Sequence, residues 1–323
     1  RFVEDMQQVK QRLCALAGAR HVEILLGTGT LANDVVAGQI SLLGQPGLIV
    51  TNGEFGERLL DHARRLKLDF RVLQYQWGEA FDYDRIQATL RAAPDIGWVW
   101  AAHCETSTSM LNDMARLKEI CAETGARLCL DCCSSLGVAP FDLDGVWLAS
   151  SSSGKGLSSY AGLALVFHQG AEPDARLPRY LDLGLYASKE GIPFTHSSNL
   201  IYAMQTALKR FDDPGIFDQV AALAAWLRAE LHRRGFDLLI SDADAAPGIV
   251  TIALPDPATA RKVSDALEEA GFLLSCRSEY LQKHGWMQIS LMGEHSRAEL
   301  SVLMDALELH AAPALAGTVR KTG

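Results

Sequence analysis

Four short clusters in this 323-residue chain carry residues whose types and order could do chemistry. Gly27-Thr28-Gly29-Thr30 joins a stretch that reads as a strand to one that reads as a helix. Glycines there let the backbone approach a ligand. The helix end offers free N–H groups and a positive dipole, which together cradle a phosphate or another anion. By itself the segment reads equally well as a tight turn. Leu128-Cys129-Leu130-Asp131 puts an acid at the carboxyl end of a buried strand, where open α/β sheets bind ligands. A buried carboxylate needs a cation or a set of donors, although Asp131 alone could equally cap the following turn. Ser150-Ser151-Ser152-Ser153-Gly154-Lys155-Gly156 sets a lysine among small residues. Desolvation there would neutralise the amine and make it a nucleophile able to form a Schiff base, whereas an arbitrary lysine is more often solvated. His103-Cys104-Glu105-Thr106-Ser107-Thr108-Ser109 is too densely polar for a core and follows another strand end. Adjacent residues on an extended segment face opposite ways, which discounts a His103–Cys104 nucleophilic pair.

The elements that must position these clusters alternate. Strands read at 22–26, 47–50, 70–73, 98–102, 127–130, 147–150 and 162–167, with helices at 2–17, 31–43, 56–66, 83–93 and 114–124 between them. Short apolar strands alternating with helices mean βαβ units and a mostly parallel sheet. From Asn199 the pattern changes. Helices at 199–210, 216–234 and 257–270 and strands at 248–253, near 272–276 and at 286–291 lead to a last helix over 296–309. A frayed tail from Ala311 follows. The division expected is a large domain over 1–213 and a smaller α+β domain over 214–323.

The bulk numbers bound the function. Hydrophobic residues make up 48% and charged residues 21%, as in a globular protein with a sizeable core. A net charge of −9 argues against nucleic acid as a partner. Seven cysteines, mostly in apolar surroundings, read as small buried hydrophobes in a reducing, cytoplasmic setting rather than as a zinc site or disulfide framework. No metal site, membrane span or signal peptide is expected. The abrupt helical opening at Phe2 suggests a preceding segment.

Taken in order, the clusters resemble the class V aminotransferases of pyridoxal-phosphate (PLP) fold type I, in particular the alanine–glyoxylate, serine–pyruvate and 2-aminoethylphosphonate–pyruvate group. The matching motifs are GTGT (27–30), NGEFGER (52–58), HCETSTS (103–109), LDCCSSLG (130–137) and SSGKG (152–156), with Asp131 and Lys155 at the family's separation of 24 residues. The resemblance implies an α/β fold type I enzyme that moves an amino group from a small amino acid or aminophosphonate to a 2-oxo acid, using pyridoxal 5'-phosphate. It implies that Lys155 binds the cofactor covalently and shuttles the substrate proton, while Asp131 keeps the pyridine nitrogen protonated. Phe55 would stack on the ring and Thr106 would bond its phenolic oxygen. Thr28, Gly29, Thr30 and a serine of 152–153 would bind the phosphate. Thr195 and Ser198 would complete a phosphate site across a homodimer with shared active sites, although a helix N-cap at Ser197 or Ser198 explains that segment as well. Cysteine desulfurases place a histidine where Phe55 stands, so Phe55 favours transamination.

Two positions depart from the family pattern. Relatives carry a strand arginine that grips the substrate carboxylate with two parallel hydrogen bonds; here Gln288 takes its place, with Arg277 the nearest substitute. Gly154 stands before the lysine where relatives have a phosphate-touching side chain. The Gln288 departure keeps open a PLP lyase, decarboxylase or carbon–carbon bond-forming enzyme. A non-catalytic binding protein would not need Asp131, and a dehydrogenase would need a different glycine fingerprint.

Overall fold

The computed structural model describes residues 1–140 and 142–318. In chain order the elements are α1 (Phe2–Ala17), β1 (His21–Leu26), α2 (Gly29–Ser41), β2 (Gly47–Thr51), α3 (Glu54–Arg65), β3 (Phe70–Gln74), α4 (Tyr83–Ala92), β4 (Trp98–Ala102), β5 (Cys104–Glu105), β6 (Met110–Leu111), α5 (Met114–Thr124), β7 (Arg127–Asp131), β8 (Leu148–Ser152), β9 (Leu163–His168), α6 (Leu183–Ser188) and α7 (Ser198–Ala207). There follow α8 (Ile216–Arg233), β10 (Asp237–Leu238), β11 (Ile249–Ala253), α9 (Pro257–Glu269), α10 (Glu279–His284), β12 (Trp286–Ser290) and α11 (Arg297–Thr318).

Seven strands form one sheet in the order β1-β9-β8-β7-β4-β2-β3. Pairing is parallel from β8 through β7, β4 and β2 to β3, and only β9 runs against its neighbours. Both faces of the sheet are covered, and the strand period of two decides which core each side chain enters. Val99 and Ala101 of β4 join one apolar cluster, and Trp98 and Trp100 join the other. The cysteines obey the same rule. A sequence reading that finds no C-x-x-C pair is wrong here, because Cys129 and Cys132 stand at that spacing. The odd offset sends Cys129 into one cluster and Cys132 into the other, so the two thiols do not converge. The parallel strands share a direction, so β2, β4, β7 and β8 all end on one side.

Beyond α7, the antiparallel sheet β10-β11-β12 packs with α8, α9 and α11 around a separate apolar cluster. Two expectations fail here. Residues 272–276 form no strand, because Ser275 makes only an isolated bridge to Gln288. The final helix does not stop near Leu309: Ala311 is wholly buried in the same cluster, and α11 continues to Thr318. Residues 319–323 of the expected tail lie outside the described residues.

Candidate active site

The strand ends open on a cavity of about 290 Å³. Thr28, Gly29 and Thr30 reach it from the loop after β1. Phe55 comes from α3, Thr106 from the loop after β5, Asp131 from the end of β7, and Ser152 and Lys155 from the end of β8 and the loop beyond. Positions up to 127 residues apart in sequence thus meet because a parallel sheet gathers its carboxyl ends.

Asp131 is only 7% exposed. Its Oδ2 accepts from the Asn33 amide at 2.8 Å and its Oδ1 from the Cys133 backbone N–H at 2.8 Å. Asn33 is itself oriented by Ser150, whose hydroxyl donates to the amide oxygen at 2.6 Å. The Cys133 thiol also bonds to the carboxylate, and since an ionised carboxylate has about four acceptor positions, some capacity remains for the cavity. Among the described residues Asp131 has no ion pair, and a buried carboxylate without a cation is costly. A protonated ring nitrogen would supply that cation.

The amine of Lys155 likewise makes no hydrogen bond or ion pair among the described residues. It lies near Cys104 and Cys133 and favours their ionised forms, but burial dominates. The Cys104 thiol is pushed up to about 12, and Cys133 is raised well above its ordinary value by burial and then by Asp131. Both thiols stay neutral on the cavity wall.

The anion cradle has the required form. Thr28 is the N-cap of α2, and its side chain makes no capping bond. The first N–H groups of a thirteen-residue helix therefore have no intrahelical partner. Gly29 is needed for space: a Cβ there would lie 2.5 Å from the Cys133 Sγ. Phe55 is held from behind by Glu105, which is fully buried and accepts from the backbone N–H groups of Phe55 at 3.3 Å, Gly56 at 2.8 Å and Ser107 at 3.1 Å. Burial raises the Glu105 carboxyl and these bonds oppose the rise. Gly53 lets it approach, since a Cβ would stand 2.5 Å from the carboxyl carbon.

Other sequence-derived residues lie elsewhere. The Ser153 hydroxyl donates to the Tyr160 carbonyl at 2.7 Å and accepts from the Leu163 N–H at 3.1 Å, away from the cavity. Thr195 and Ser198 are exposed, and Ser197 is the N-cap of α7. Ser198 borders an open concavity of about 1110 Å³ with Ser158, Tyr160 and Tyr202. Arg277 is a surface residue paired with Glu268 and, at 3.8 Å, with Asp265. Gln288 is buried, and its amide donates to the carbonyls of Thr106 at 2.6 Å and Ser107 at 3.1 Å and to the Thr251 hydroxyl at 3.0 Å. A side chain before Lys155 would be crowded, for a Cβ on Gly154 would meet that of Ala161 at 2.9 Å. Asn33, Arg58 and His62 also line the cavity and were not singled out from the sequence.

A comparison with protein-family models gives no match. Relatives do. The chain is 33% identical over 276 residues to the soluble hydrogenase 42 kDa subunit of Anabaena cylindrica, covering 79% of this chain and 71% of that one. It is 30% identical over 268 residues to the 2-aminoethylphosphonate–pyruvate transaminase of Pseudomonas fluorescens, covering 77% and 72%. Among solved structures, the aspartate aminotransferase of Thermus thermophilus superposes with a TM-score of 0.84 at 25% identity, over 97% of this chain and 91% of the other. The alanine–glyoxylate aminotransferase of Nostoc sp. gives a TM-score of 0.83 at 26% identity, over 95% and 86%. The chain belongs to the class V aminotransferases of PLP fold type I. It is a PLP-dependent aminotransferase, and the lyase alternative is not favoured. The uncompensated Asp131, the uncapped α2 and the unpaired Lys155 amine fit that cofactor on chemical grounds.

Proposed function

We propose that this aminotransferase moves an amino group from a small amino acid or an aminophosphonate to a 2-oxo acid, with Lys155 and Asp131 as its two catalytic residues. The observation that carries the reading is that a buried carboxylate and a lysine amine, neither ion-paired among the described residues, open on one cavity. The cofactor, when bound, supplies an electron sink and holds the amino group between the two half-reactions. Lys155 Nζ anchors it and carries the proton to and from the substrate α-carbon. Asp131 holds a proton on the ring nitrogen, with Asn33 and the Cys133 N–H fixing the carboxylate. Phe55 covers a ring face and excludes water there. Thr28, Gly29, Thr30 and Ser152 hold the phosphate, Ser153 being turned elsewhere, and Thr106 meets the phenolic oxygen.

The same reading makes the protein a cytoplasmic homodimer, with Thr195 and Ser198 of each subunit reaching the other's phosphate site. The exposure of both residues, and the place of Ser198 beside Ser158 and Tyr160, support it. No helix among the described residues is long and apolar enough to cross a membrane. The division at 213/214 is supported by the separate apolar cluster beyond that point. The test is a visible spectrum of the purified protein mixed with amino donors and no acceptor. Conversion of the bound cofactor to its aminated form by alanine, serine or 2-aminoethylphosphonate supports transamination. Product release without that conversion sinks it.

A further inference from the structure

The family's substrate-gripping arginine is missing, and neither replacement suggested by the sequence reaches the cavity. The Gln288 amide is committed to Thr106, Ser107 and Thr251, and Arg277 is committed to Glu268. A different guanidinium does reach it. Phe55, Arg58 and His62 stand at i, i+3 and i+7 of α3, so one helix face delivers all three to the cavity wall. Arg58 is the only arginine among the described residues lining that cavity. Its Nε donates to Glu54 at 2.9 Å, while its two terminal nitrogens make no bond among the described residues. The guanidinium lies over the Phe55 ring, 4.8 Å from its centroid. The side chain is 54% exposed, so it stands at the mouth through which a substrate enters. One turn on, Asp34 holds His62 Nδ1 at 2.6 Å, and the rest of the ring is left to the cavity.

We infer that Arg58 grips the acid group of the amino donor, a carboxylate or a phosphonate, while the donor's amine points inward to Lys155. The inference rests on the transamination reading above. A planar fork suits both oxyanions, and its position on α3 makes specificity depend on the large sheet unit rather than on β12.

The test uses the holoenzyme, R58Q and R58K. Each is titrated with 2-aminoethylphosphonate, alanine and the neutral alaninamide while visible absorption is followed. R58Q raises the half-saturating concentration of the acidic donor by about 10- to 100-fold, the range of a charge-assisted hydrogen bond. It leaves alaninamide and the limiting rate within a few-fold of wild type, and R58K recovers part of the loss. Which acid shifts more identifies the carboxylate or the phosphonate as the natural group. Equal shifts for alaninamide and the acids, or none, overturn the inference. So does weaker PLP binding by R58Q apoprotein in a fluorescence titration, which would assign Arg58 to the cofactor phosphate. Acetate and methylphosphonate, added as competitors that cannot react, separate this inference from the reading beneath it. If wild type binds either anion and R58Q does not, Arg58 stands even when no amine converts the cofactor, and only transamination falls. If R58Q binds them as well as wild type does, or wild type binds neither, Arg58 falls.

Discussion

Asp131 and Gln288 are both buried polar residues on strands, and both serve the polar segment that follows β4. Asp131 shares the cavity wall with Thr106, whereas Gln288 holds the Thr106 and Ser107 carbonyls from the opposite sheet. They differ in what is left over. Gln288 is 2% exposed and its amide hydrogens are committed inside the protein. Asp131 is fixed by the Asn33 amide and by Cys133, keeps acceptor capacity, and makes no ion pair among the described residues. A buried polar group with every bond made is a structural fastener; one held rigidly with capacity in reserve is prepared for a ligand. By that criterion Gln288 is a latch between β12 and the loop after β5, while Asp131 keeps capacity for a ligand in the cavity.

The largest effects break the cavity side of this contrast. Lys155→Ala removes the proposed covalent anchor and proton carrier, and the amino-transfer rate is expected to fall by about 10³- to 10⁴-fold or more, read in single-turnover assays. Asp131→Asn keeps the shape and removes the charge. Its rate falls by about 10²- to 10³-fold, as when a preorganised electrostatic partner is lost, while folding stability measured in denaturant stays close to wild type. A variant that kept its rate would show that the carboxylate's charge is not what the cavity uses.

Gln288 answers to a different measurement. Gln288→Leu leaves the buried Thr106 and Ser107 carbonyls without donors and costs about 2–6 kcal/mol in denaturant unfolding, at about 1–3 kcal/mol for each unsatisfied group. Gln288→Arg puts a charge where no described carboxylate pairs with it. It loses stability in the same assay and gains no affinity for carboxylate donors. A gain in donor affinity would mean that the position still faces substrate, and the latch description would fail.

What could be read in the sequence follows the range of the interactions. The cradle at 27–30, Asp131 and Lys155 were legible because each sits in a short segment at a strand end, and alternation fixes where strand ends go. The role of Gln288 was not, since its partners Thr106 and Thr251 are 182 and 37 residues away. Its identity flagged a departure, but only tertiary contacts say what the amide does instead. Arg58 lay inside a quoted motif with no role, because three-residue helical spacing from Phe55 matters only once α3 is laid against the cavity. The strand near 272–276 failed for a related reason: apolar residues there pack against the second core without the ladder that makes a strand.

The smallest expected effect concerns the thiols beside the cavity. An unfolded cysteine titrates near 9.0, whereas burial keeps the Cys104 thiol protonated to about 12. Between those values the unfolded chain gives up a proton that the folded chain retains, so rising pH favours unfolding. The stabilisation is complete below about 9 and is lost as pH climbs towards 12, at about 1.4 kcal/mol per pH unit for each such thiol. Cys132 and Cys133 are raised in the same direction, chiefly by burial and then by the charge of Asp131. Urea unfolding at pH 8, 9 and 10 should therefore show a flat limb and then a fall. Cys104→Ala should make the fall shallower by one thiol's share. Asp131→Asn should leave that slope close to wild type between pH 8 and 10, because burial is the larger cause that keeps Cys132 and Cys133 protonated in the folded chain. A fall of unchanged slope in Cys104→Ala would place the alkaline weakness outside the cavity wall.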